Sequence, residues 1–104
     1  MKIKIITTTS DSIRVGKKIV NSLIKKKLSP CVQIIPQIKS TYTWEGKLRN
    51  SNEILIIIKT IPENVQLCKK LLLKLHNYDT TEIVVSEGEI LNEKYKAWFL
   101  ENSS

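Results

Sequence analysis

Cysteine, histidine, arginine and long apolar runs are all scarce in this chain of 104 residues. The two cysteines, Cys31 and Cys68, lie far apart and outside any Cys-x-x-Cys pair, so no disulfide framework is expected. The longest apolar run, Ile54–Ile58, is far shorter than the roughly 20 residues of a membrane-spanning helix. The N-terminus has no apolar signal-peptide core. These absences predict a cytoplasmic protein with no membrane partner.

Arginine is scarce even though the chain is basic. The 17 basic residues outnumber 10 acidic ones and give a net charge of +7 at pH 7. Only Arg14 and Arg49 are arginines, although arginine is the usual residue in bidentate recognition of phosphate and guanine. We interpret the lysines as a solvated surface, with an anionic partner as the alternative.

Motifs for catalysis are absent. The sequence contains no nucleophile elbow, P-loop, dinucleotide-binding or zinc-protease motif. Glu87 and Glu89 flank Gly88 in a segment that we predict to be a solvated loop rather than an acid–base pair. The sequence therefore predicts a protein that is not an enzyme.

The order of periodic segments predicts a fold of the α+β class. The pattern β-α-β-β-α-β, with a long central β-hairpin and a short C-terminal helix, is typical of ferredoxin-like folds. Right-handed crossovers would place both main helices on one face of a four-stranded antiparallel sheet. We expect one domain over residues 1–104, with its first strand at Lys2–Thr9 and its fourth at Thr81–Ser86.

The central segment Cys31–Thr60 predicts an unusually long hairpin. Glu45 and Gly46 provide a tight reversal, since glycine accepts positive φ. Arms of about 14 residues would each span roughly 45 Å, whereas a compact chain of this length is about 33 Å across. Pro36 cannot donate to a sheet ladder and indicates an edge position or a bulge. The hairpin must therefore bend or project onto another molecule.

The second hairpin arm also predicts self-association. Ile54–Ile58 does not alternate between apolar and polar residues, so both faces of this strand are apolar. Helices cover one face, and an apolar patch on the other would mark an interface. We expect a homo-oligomer assembled through the sheets.

Several segments together resemble the CutA family of divalent-cation tolerance proteins. The resemblance covers nearly the whole chain and implies a ferredoxin-like fold, a homotrimer with hairpins packed between subunits, and a role in divalent-metal and copper tolerance. Some bacterial members are described as binding copper through a cysteine and a histidine pair, and Thr7 and Leu75-His76 stand at those positions here. The matching segments are Cys31–Pro36, Ser40–Lys47, Ile58–Thr60, His76–Glu82 and Tyr95 with Trp98.

Two residues are candidate ligands for a divalent metal ion or copper. His76 is the only histidine and cannot form a typical metal site alone, but a trimer would contain three copies. Cys31 offers a soft thiolate that suits copper or zinc. The alternatives are a helix-end histidine held by carbonyl groups and a buried cysteine that only fills space.

A second candidate site is a ligand cleft near a subunit boundary. Tyr42 and Trp44 fall on one face of the hairpin, and we expect Lys59, Tyr78 and Glu82 to add polar groups. Lys59 would meet a small anionic ligand or pair with Glu82. The alternative is that the two aromatic rings only pack against a neighbouring subunit.

Two rival functions belong to other classes. RNA-recognition modules share the β-α-β-β-α-β order, but the third strand here lacks their aromatic residues, so a nucleic-acid partner is not favoured. A purely structural trimeric scaffold or anchor for other proteins is the other rival.

Overall fold

A computed structural model describes all 104 residues. The chain forms four strands, three α-helices and one short 3-10 turn. Their bounds are β1 Lys2–Ser10, α1 Ile13–Lys25, β2 Cys31–Trp44, β3 Lys47–Thr60, the 3-10 turn Pro62–Asn64, α2 Val65–Leu75, β4 Val84–Glu89 and α3 Glu93–Glu101. None of the helices combines the length and apolar character needed to cross a membrane.

The strands form one sheet in the order β2-β3-β1-β4, and every neighbouring pair is antiparallel. Helices α1 and α2 pack on one face and enclose the main core. This arrangement confirms the predicted α+β class and ferredoxin-like topology. The central members of the core are Ile6, Ile19, Leu23, Ile56, Ile58, Cys68 and Leu72.

Helix α1 begins at a polar cap and lies close to the sheet. The Ser12 side chain accepts a hydrogen bond from the backbone N–H of Val15, which satisfies one of the free donors of the first turn. Gly16 faces Ile54, and a Cβ atom there would collide with the isoleucine side chain. Glycine at this position therefore allows the close approach of helix and sheet.

The hairpin both bends and projects. Glu45 and Gly46 have φ values of 52° and 74°, the positive pair of a type I′ turn. The register shifts between Ile35 and Ile38, where Gln37 has a φ of 57°, so the bulge predicted at Pro36 is confirmed. Residues 41–50 are all exposed, and the molecule measures 47 × 24 × 22 Å.

The sheet face opposite α1 and α2, called the open face here, is only partly covered. Phe99 of α3 packs on Ile3 and Ile90 at one end of it. The rest of the open face carries half-buried and exposed apolar side chains that have no cover within one chain. These are Ile5, Ile35, Leu55, Ile57 and Val84.

Strand β4 lies three residues later than predicted. It covers Val84–Glu89 instead of Thr81–Ser86, because its pairing with β1 runs from Thr7 opposite Val84 to Lys2 opposite Glu89. Glu87 and Glu89 are therefore strand residues and not loop residues. The Lys4 ammonium group, 3.3 Å away, and that of Lys2, 3.5 Å away, hold the pKa of the Glu87 carboxyl below its ordinary value.

Candidate functional site: an acidic cleft beside the hairpin

A cleft of about 710 Å³ lies between the hairpin and the loop that joins α2 to β4. We call it the hairpin cleft. It brings together four of the five predicted cleft residues, Tyr42, Trp44, Tyr78 and Glu82. Its other lining residues are Thr9, Ser40, Thr41, Glu53, Asn77, Asp79 and Thr80.

His76 clamps the α2–β4 loop to the sheet. Its Nε2 atom lies 2.7 Å from the carbonyl oxygen of Thr9, and its Nδ1 atom accepts the backbone N–H of Tyr78 at 3.0 Å. Because a carbonyl oxygen only accepts, Nε2 carries the hydrogen and Nδ1 does not. Both ring nitrogens are thus engaged within the subunit, and this clamp directs Tyr78 towards the cleft.

A second clamp holds the same loop one residue later. The Ser10 hydroxyl donates to the side-chain oxygen of Asn77 at 2.8 Å, and the Asn77 amide donates to the Asp11 carboxylate at 2.7 Å. Side-chain hydrogen bonds therefore fix this part of the loop to the end of β1.

The central polar group of the cleft is Glu53, which sequence reasoning missed. Its side chain sits on β3 and the residue is only 8% exposed. The Tyr78 hydroxyl donates to its Oε2 atom at 2.7 Å, whereas no protein donor reaches Oε1 and no basic side chain pairs with it. Burying a carboxylate without a cation is costly, so this arrangement points to a binding role.

Tyr78 stays protonated so that it can donate to Glu53. Burial raises the pKa of its hydroxyl, and the hydrogen bond to Glu53 and the negative charge of that carboxylate raise it further. The neutral phenol fixes one carboxylate oxygen and leaves the other open to the cleft.

All charged side chains that line the cleft are acidic: Glu53, Asp79 and Glu82. Lys59 does not line it, contrary to the sequence-based expectation. Thr9 lines the cleft and pairs with Leu55 of β3. Lys59 lies four residues further along β3, opposite Cys31, and is therefore towards the other end of the strand. The cleft has no basic lining residue that could bind an anion, and Lys59 and Glu82 form no ion pair.

The two predicted metal ligands are not brought together within one subunit. Cys31 is half-buried beside Tyr95 of α3, whose pKa is raised by burial and by the neighbouring thiol. His76 lies by Thr9, about four residues or roughly 13 Å further along the sheet. No three His, Cys, Asp or Glu side chains converge closely enough in one chain to hold a metal ion.

The topology and cleft define a class of small ferredoxin-like domains with a projecting hairpin and an acidic cleft beside it. Residues 4–102 match the family model of the CutA1 divalent ion tolerance protein, so the chain belongs to the CutA family. This finding confirms the sequence-based resemblance. The family is named for ion tolerance and not for a reaction.

Individual relatives support the assignment. The divalent-cation tolerance protein CutA of Thermus thermophilus is 31% identical over 103 residues, which cover 96% of this chain and 97% of that protein. The chloroplastic CutA of Arabidopsis thaliana is 35% identical over 100 residues, or 96% of this chain and 54% of that protein. The chain thus spans about half the length of its plant and mammalian relatives.

Solved structures share the whole fold. CutA1 from Oryza sativa superposes with a TM-score of 0.92 at 32% identity, covering 99% of this chain and 94% of that one. The Thermus thermophilus protein gives a TM-score of 0.92 at 30% identity and covers all of both chains.

The expected cytoplasmic location is wrong as an inference from composition. The Arabidopsis relative is described as chloroplastic. A structure from Archaeoglobus fulgidus is described as periplasmic; it is 31% identical, with a TM-score of 0.90, and covers 98% of each chain. Scarce cysteine and the composition of the N-terminal residues therefore do not specify a compartment in this family.

Proposed function

We propose that this protein is a homotrimeric, cation-binding member of the CutA family that acts in the response to divalent metal ions, copper among them. One observation carries the proposal: Glu53 is a buried carboxylate with one free oxygen, in a cleft whose charged side chains are all acidic. Such a cleft attracts cations and repels anions.

The open face supports assembly into a trimer. No part of one chain covers the apolar side chains of this face, which we call the apolar strip, and uncovered patches of this kind mark protein interfaces. The strip consists of Ile5, Ile35, Leu55, Ile57 and Val84. Tyr42, Trp44 and Glu53 lie on the same side of the sheet as Leu55 and Ile57, by strand alternation, so a subunit packed on the strip would border the cleft.

Light scattering tests the trimer. Wild type should show three times the 12.0 kDa mass of one chain at micromolar concentration. Ile57→Glu places a charge in the apolar strip and should give single chains, whereas the control Leu91→Glu, at an 84% exposed loop position, should not. Wild type with the mass of one chain would contradict this part of the proposal.

The ligands of the cation come in part from a neighbouring subunit. In one chain, Glu53, Asp79 and Glu82 provide carboxylate oxygens, which suit hard divalent cations. Copper prefers softer donors, and His76 and Cys31 remain its proposed ligands at a boundary between subunits. His76 would have to release one of its two present hydrogen bonds to bind copper.

Calorimetry with Cu(II), Cu(I) and Zn(II) tests the metal site. Glu53→Gln keeps the size of the side chain and removes its charge, so affinity should fall at least about tenfold, while Glu45→Gln at the exposed hairpin tip should change nothing. Cys31→Ser should weaken the binding of Cu(I) and Zn(II), the ions that a thiolate ligand suits. Wild type that gives no heat at tens of micromolar metal would remove the metal-binding proposal.

An organic cation is a second candidate ligand, favoured by the aromatic walls of the cleft. Tyr42, Trp44 and Tyr78 surround the acidic groups, and aromatic faces bind alkylammonium ions through cation–π contacts. Quenching of Trp44 fluorescence by tetramethylammonium, lost in Trp44→Leu while metal binding persists, would support this candidate. A trimer that binds neither metal nor ammonium would instead support the scaffold function.

A further inference from the structure

The outer surface of α1 and α2, called the helix layer here, carries only positive charge. Residues 13–27 and 65–75 contain nine of the 17 basic residues and no acidic one. None of these nine takes part in an ion pair, since the three ion pairs involve Lys2, Lys4 and Lys96. The helix layer therefore has a strongly positive electrostatic potential, because no acidic side chain neutralises its basic residues.

An apolar pit of about 320 Å³ lies within this layer, between α2 and the end of α1. Leu28 and Leu71 are buried beneath it, and Leu67 is 51% exposed at its side. Spacings of three and four residues put Leu67, Lys70, Leu71 and Lys74 on one face of α2. The pit is thus lined by the three leucines and by Lys26, Lys70 and Lys74.

Further apolar side chains are exposed in the same layer. Leu73 and Ile24 each show over two-fifths of their surface to solvent. Phosphate groups would neutralise the lysines but would leave these apolar side chains exposed to water. The helix layer also has no aromatic residue for stacking bases and only one arginine, Arg14, which argues against a nucleic acid as the occupant.

We propose that the helix layer binds an acidic peptide segment of a partner protein, with one large apolar side chain of that segment in the pit. Carboxylates flanking that side chain would pair with Lys26, Lys70 and Lys74. The pit volume is at the small end of the range for ligand sites, which suits a side chain better than a whole cofactor. This surface is on the other side of the sheet from the open face, so the proposal does not depend on the cation site.

Fluorescence anisotropy with a labelled decapeptide of Asp and Glu around a central Leu-x-x-Leu tests the proposal on the intact protein. We expect micromolar binding that weakens at least about tenfold between 50 and 300 mM salt, because the contacts are charged. A peptide with both leucines replaced by serine should bind at least about tenfold more weakly, because the pit then stays empty.

Matched variants locate the surface. Leu67→Ser and Lys70→Glu should each reduce affinity at least about tenfold. Leu91→Ser and Lys94→Glu make the same changes outside the helix layer and should have no effect. Absence of binding at 1 mM peptide, equal binding of the serine peptide, or equal losses in the control variants would overturn the proposal. Tighter binding of single-stranded DNA or phosphatidylserine vesicles than of the peptide would also overturn it.

Discussion

The contact between Tyr78 and Glu53 gives the sharpest test of the cleft. Tyr78→Phe removes one hydroxyl and nothing else, and it leaves the buried Glu53 carboxylate without its protein donor. Hydrogen bonds to charged groups contribute about 1.5–3 kcal/mol. Because Oε1 already faces the cleft, water reaches part of the group, and we expect a loss of about 2 kcal/mol. With a urea m-value of about 2 kcal/mol/M, the midpoint should fall by about 1 M.

Two comparisons separate this contact from general effects of the substitution. Tyr42→Phe removes a similar bond, 2.7 Å to the Ser51 hydroxyl, at an exposed site and should cost less than about 0.5 kcal/mol. In a Glu53→Gln background the Tyr78→Phe loss should drop to about 1 kcal/mol, because the acceptor is then neutral. Urea titrations at one fixed protein concentration, followed by tryptophan fluorescence, measure all three differences. A Tyr78→Phe loss equal to that of Tyr42→Phe, or unchanged by Glu53→Gln, would refute the reasoning.

The same pair predicts how stability changes at alkaline pH. The pKa of Tyr78 is higher in the folded protein than in the unfolded chain, so its contribution is complete below the ordinary tyrosine pKa of about 10. The contribution is lost as pH rises above that value. The gap between wild type and Tyr78→Phe should therefore be constant from pH 6 to 9 and should narrow above pH 10.

Three further predictions concern the scaffold. Gln37→Gly relieves a φ of 57° and should raise the urea midpoint by the equivalent of up to about 1 kcal/mol; a decrease would contradict the assignment of strain to the bulge. Thr60→Val removes a buried 2.6 Å hydrogen bond to the carbonyl of Leu28 and should cost about 1–2 kcal/mol, seen as a lower Tm in calorimetry; an unchanged Tm would contradict it. Glu87→Gln should be less stable than wild type near neutral pH. Because the pKa of Glu87 is depressed in the folded protein, the difference in stability between wild type and Glu87→Gln should close as pH falls below 4.5 and should shrink in high salt. A carboxyl titration by NMR that shows no depressed pKa for Glu87 would exclude a role for the lysine contacts.

Features fixed by short-range signals were predictable from the sequence. Gly46 specifies the turn, Pro36 marks the bulge, and alternation puts Tyr42 and Trp44 on the same side of the hairpin. Each of these depends only on neighbouring residues, because backbone φ and strand periodicity are local properties.

Features that depend on distant partners were not predictable. Glu53 is buried because Tyr78 reaches it from a loop 25 residues later in the sequence. The run around Val84 indicated a strand, but its limits follow from pairing with β1 at the other end of the chain. Lys59 was expected in the cleft, but its position away from the cleft depends on the register of three strands.

The position of β1 between β3 and β4 has a consequence for synthesis on the ribosome. β1 is made first, but the strand on its outer side, β4, ends only at Glu89, and the Met1 amino group donates to Ile90 at 3.1 Å. Between the synthesis of Thr60 and that of Glu89, the nascent chain therefore exposes an unpaired β1 edge beside an already paired hairpin. Such an edge is a template for non-native strand pairing, so premature termination before β4 should yield aggregation-prone fragments.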